Sequence, residues 1–73
     1  MIMTLMEQES LLNSKGKPWA SLKDGFAAAR DRQIEAVHED ASIREEWKGD
    51  IEQAHRDNYE RLIETLVKVS SRA

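Results

Sequence analysis

No cysteine occurs in the 73 residues, so neither a disulfide nor a thiolate-held metal can brace the fold. At this length an isolated core is marginal, and association with another chain is the common remaining source of stability. Proline occurs only at Pro18, so nothing beyond it breaks a long helix. Basic runs are also missing. Arg30 and Arg32 are followed by Glu35, Glu39 and Asp40, and Arg44 by Glu45 and Glu46. With a formal net charge of −3, the chain lacks the basic face that releases counterions from phosphates, so nucleic acid is not an expected partner. No apolar run is long enough to cross a membrane. Met1 to Met6 is apolar but has no basic flank and meets Glu7 and Glu9, so it reads as neither a signal peptide nor a span, and a cytoplasmic location is expected.

What is present points to helices. Charged residues make up 34% of the chain, yet 40% hydrophobic residues is too many for a simply disordered tail. Thr4-Leu5-Met6-Glu7 reads as a capping box opening a short helix to about Asn13, with Leu5, Met6, Leu11 and Leu12 on one side. Gly16 and Pro18 punctuate the loop that follows. Trp19, Leu22, Phe26, Ala29, Gln33 and Ala36 then recur at 3-4-3-4-3 spacing, the seam of a coiled-coil-like helix over 18–38. Ser42-Ile43-Arg44-Glu45 is a second capping box and predicts a helix over 43–70. Ile43, Trp47, Ile51, Ala54, Leu62, Leu66 and Val69 share a wide sector of it, while Tyr59, Ile63 and Val67 form a second strip beside them.

The expected fold is all-α. Residues 1–17 make a short helical arm plus loop, and residues 18–73 make an antiparallel hairpin that dimerises into a four-helix bundle. Folding about residues 40–41 sets Trp47 near Ile34, Ile51 near Ala29 or Arg30, and Leu62 near Trp19. The long helix carries more apolar surface than a hairpin can cover, and that surplus implies a partner.

Candidate chemistry is sparse. Glu35 with His38 and Glu52 with His55 repeat the Glu-x-x-His spacing of carboxylate-bridged metal bundles. The hairpin register sets the two pairs far apart along the axis, so solvated face charges are expected rather than a metal. His55 and Asn58 interrupt the apolar sector and read as a polar layer fixing register or oligomeric state, together with Trp47, Ile51 and Leu62; a partner-contact or pH-sensitive role is the alternative. Trp19, Tyr59, Ile63 and Val67 are the expected partner-binding residues. Trp47 is expected in the core. No nucleophile–base pair, phosphate loop or cofactor motif occurs, and a chain of this size is expected to lack a small-molecule pocket, so catalysis is not expected.

Trp47-Lys48-Gly49, followed by His55 and Tyr59, resembles the WXG family over about residues 40–66. The resemblance implies a small acidic helical hairpin, secreted by a type VII system, with the Trp-x-Gly in the inter-helix turn. The Ser42 capping box instead places Trp47 inside a helix, and Gly16-Lys17-Pro18 interrupts the first one. The reading from the residues alone is a small non-enzymatic protein-binding regulator, an adaptor or inhibitor such as mobile elements encode, acting by occlusion. Asp50, Glu52 and Glu60 would steer it toward a basic surface. A WXG-like secreted hairpin and a small DNA-associated regulator are the alternatives.

Overall fold

Three α-helices make up the computed structural model, which describes residues 2–72; no strand occurs among them. α1 (Leu5–Ser14) begins at the Thr4 capping box, with Thr4 Oγ1 accepting from the Glu7 amide at 3.2 Å and the Glu7 side chain accepting from the Thr4 amide. Two donors that a helix start leaves without partners are thereby satisfied. Gly16 turns the chain with a φ of 122°, a conformation that strains any residue with a Cβ. Pro18 sits in the first turn of α2 (Lys17–Glu39), where its missing N–H costs nothing.

The connector departs from expectation. Ser42 does not cap the third helix: Asp40 Oδ1 accepts from both its amide, at 2.9 Å, and its hydroxyl, at 2.6 Å. A carboxylate two residues upstream is a strong local acceptor: it takes the Ser42 amide hydrogen that the Glu45 side chain would accept in a capping box, and it draws the hydroxyl toward itself and away from the helix start. α3 therefore starts at Glu45 and runs to Arg72. The longer corner also moves the hairpin register. Arg30 lies over the Tyr59 ring, 4.3 Å from its centroid, rather than beside Ile51. The shift is eight residues, or about two helical turns.

α1 packs against both other helices and decides which stripe of α3 is interior. Leu12 and Ile63 are wholly buried and Tyr59 is 2% exposed, with Leu5, Trp19, Phe26, Ala27, Leu66 and Val67 around them. The expected α3 sector faced α2 alone. With α1 bringing Leu5 and Leu12 onto the helix, the buried direction turns by roughly one residue step, or 100°. Trp47, expected in the core, is half exposed, and so are Leu62 and Val69. Ile34 and Val37 form a smaller buried pair nearer the corner.

The body is elongated. Its radius of gyration is 14.2 Å, against about 11 Å for an ordinary globule of this length.

Candidate functional site: the open face of α2 and α3

With α1 on one side of the hairpin, the other side stays open. A groove runs along it between α2 and α3. Phe26, Ala29 and Gln33 come from α2, and His55, Asn58 and Leu62 from α3. Next to it, an open depression of about 440 Å³ is lined by Gln33, Asn58, Arg61, Leu62 and Thr65. The expectation that no such concavity would form is therefore corrected, although this one is a surface trough and not an enclosed pocket.

The α3 wall of the groove is unusual in its chemistry. Trp47, Ile51, His55, Asn58, Leu62, Thr65 and Val69 follow one another at spacings of three or four and share one side of the helix. None is an acid, a lysine or an arginine, in a chain where a third of residues are charged. The α2 wall matches it with Leu22, Phe26, Ala29, Gln33 and Ala36. Arginines occur at the margins only. Arg30 is stacked over Tyr59, and Arg61 donates to Asn58 Oδ1 at 3.2 Å.

The expected site residues are redistributed. Tyr59 and Ile63, expected to bind a partner, lie inside the chain's own core, and Trp19 and Val67 pack against that core. The cause is again α1, which occupies the strip that a partner was expected to cover. His55 is half-buried and Asn58 exposed, so the polar layer lies on the groove wall rather than in the interior. Ile51 is half-buried beside it.

Four polar residues that hold the fold escaped the sequence reading. Gln8 is buried. Glu9 Oε2 accepts from the Tyr59 hydroxyl at 2.7 Å, and burial together with that carboxylate pushes the phenol above its ordinary pKa. Arg30 covers the same ring. Lys48 is buried and donates from Nζ to the His38 carbonyl at 2.9 Å and to Glu45 at 3.0 Å, closing the C-terminus of α2 from the next helix. Only Lys48 had a readable signal, since it falls on the side of α3 that carries Tyr59 and Ile63.

The Glu-x-x-His pairs meet differently from expectation. The register shift brings His38 Nε2 to 2.7 Å from Glu52 Oε1, and this contact, with help from Arg56, holds the Glu52 carboxyl below its usual range. Among the described residues no three histidines, cysteines or acids gather as metal ligands would.

Comparison with models of known protein families, with curated proteins and with solved structures finds no match. Trp47-Lys48-Gly49 lies in the opening turns of α3 and not in the inter-helix turn that the WXG resemblance implies. No described helix is long and apolar enough to cross a membrane.

Proposed function

We propose that the chain is a small non-enzymatic protein-binding regulator that acts by covering a surface of a larger protein, and that it works as a homodimer in a four-helix arrangement. The observation that carries this reading is the surface left over after folding. The accessible area is 5403 Å², against about 4,600 Å² for a typical monomer of this mass. Part of the surplus is large and apolar: Leu22, Trp47, Leu62 and Val69 are each 45–52% exposed on two neighbouring helices.

Target recognition then falls to the outward side of α3. Glu46, Asp50, Asp57, Glu60 and Glu64 lie together there, beside the exposed Trp47. Acidic groups in such a row steer a basic partner, and a tryptophan supplies buried area. Of the acids first expected to steer, Glu52 is held by His38 and Arg56, which leaves Asp50 and Glu60 for the role. Immobilised protein, exposed to an extract of its source cells, should retain one protein reproducibly. That protein's own activity should fall when the chain is added. Charge reversal at Asp57, Glu60 and Glu64 together should abolish both effects at unchanged helicity. Retention indifferent to this reversal would refute the acidic recognition surface.

A further inference from the structure

We propose that the carboxylate-free face of α2 and α3 is the chain's self-association surface, covered by the same face of a second copy; this rests on the protein-binding reading above and assigns its dimer contact. Three observations favour a second copy over a different protein. The first is electrostatic. Two chains of net charge −3 repel, and like charges set opposite one another in an interface are costly. The face through Leu22, Phe26, Ala29, Gln33 and Ala36 and through Ile51, His55, Asn58, Leu62, Thr65 and Val69 carries no carboxylate, and the charges at its margins are Arg30 and Arg61, so two identical acidic chains can meet there without opposing their carboxylates.

The second observation is size. The whole-molecule surplus of roughly 800 Å², to which the exposed Leu22, Leu62 and Val69 of this face contribute, is of the order that one partner gives to an interface of standard size. The third is Gly25, on the edge of the same α2 face. A glycine inside a helix is unfavourable, and a Cβ at this position would meet nothing within 4 Å in the single chain. Gly49 has the same open surroundings away from this face, so what distinguishes Gly25 is its place beside Ala29 and Ala36. With Ala29 and Ala36 it lets another helix approach closely.

In this arrangement the two faces meet about a two-fold axis, each copy presenting the same residues. Gln33 and Asn58 lie near the middle of the face, and their amides each donate and accept, so two copies can pair them in either sense. They fix the register where the apolar contacts alone would slide, as a buried asparagine does in coiled coils. α1 stays on the outer side of each hairpin, and the acidic row of α3 stays free for a target.

The test is sedimentation equilibrium on the full chain from low to high micromolar concentration, with helicity followed in parallel. A dimer is expected. Leu62→Glu should weaken it by at least about a hundredfold with helicity kept, because a symmetric contact feels each change twice. Gly25→Ala should weaken the dimer while raising the thermal stability of the monomer. The absence of native cysteine allows a second readout that does not depend on a disruptive variant. Asn58→Cys should oxidise to a covalent dimer, and Glu64→Cys on the acidic row should not. A well-folded chain that stays monomeric throughout overturns the proposal. So does a dimer that tolerates Leu62→Glu and cross-links through position 64 rather than 58. A monomer also removes the homodimer from the functional reading; under either result, target retention, tested by charge reversal at Asp57, Glu60 and Glu64, judges the surface-covering role on its own.

Discussion

The two ends of the hairpin are held by different physics. At the open end, where α1 folds over α3, the contact is dry: Leu12 and Ile63 are fully buried around the Tyr59 ring, and one hydrogen bond from that ring reaches Glu9. At the corner, where α2 and α3 meet without a third helix, few apolar groups are available and the closure is polar. Asp40 holds Ser42, Lys48 holds the end of α2, and His38 pairs with Glu52. A third helix therefore does more than add contacts, because it selects which stripe of the longest helix becomes interior and leaves the other stripe open.

Substitutions at the dry end should be the most damaging. Ile63→Ala should cost about 2–5 kcal/mol, a large share of the stability expected for so small a domain, and should be read as a fall in the urea midpoint. The same loss should appear for Leu12→Ala, since both side chains fill one cluster. A loss below about 1 kcal/mol at both sites would mean that α1 is not docked as described.

Tyr59→Phe sharpens the picture by removing a hydroxyl and little volume. The Glu9 carboxylate can turn to water, so a loss of about 1 kcal/mol is expected, measured by thermal unfolding. Lys48→Met should be of similar or smaller size, because the side chain's stem is still buried and, of the two groups that lose Nζ, the Glu45 carboxylate is exposed and turns to water, which leaves the His38 carbonyl. Position 63 lies fifteen residues from position 48, about 22 Å along α3. The Ile63→Ala and Lys48→Met effects should therefore add, and a coupling well above about 0.5 kcal/mol would show that the two ends do not behave independently.

Local patterns carried the helices. The Thr4 box, the Pro18 start and the absence of later breakers place α1, α2 and the bulk of α3 in the sequence itself. What could not be read was the choice between two local signals, and its consequence at long range. Ser42 fits a capping box as well as it fits a turn with Asp40, and only the competition between acceptors decides. That decision displaces α3 by about two turns. The candidate site suffered more. Residues Tyr59, Ile63 and Val67 and the sector from Trp47 to Val69 are both credible interior stripes, and a helical wheel cannot choose without knowing where α1 lands. Arg30 over Tyr59 joins residues twenty-nine apart, which no local pattern encodes.

The smallest effect concerns pH and belongs to the corner alone. The His38 contact first, and Arg56 after it, hold the folded-state pKa of Glu52 below its ordinary value; bonds from Ser42 do the same for Asp40. A depressed carboxylate pKa means that the unfolded chain takes up the proton more readily. The stabilisation is therefore complete above the ordinary carboxylate range and fades as pH falls through the lowered values. Glu52→Gln keeps the side chain's shape but removes that proton-linked share. The difference in midpoint temperature between the native chain and the variant should be largest above the ordinary carboxylate range and should close as pH falls through the lowered Glu52 value. Ile63→Ala removes only apolar atoms and leaves the Tyr59–Glu9 bond in place, so the Ile63→Ala difference should hardly move over the same range. If both differences shrink together, the acid sensitivity lies in the fold as a whole and not in the corner clasp.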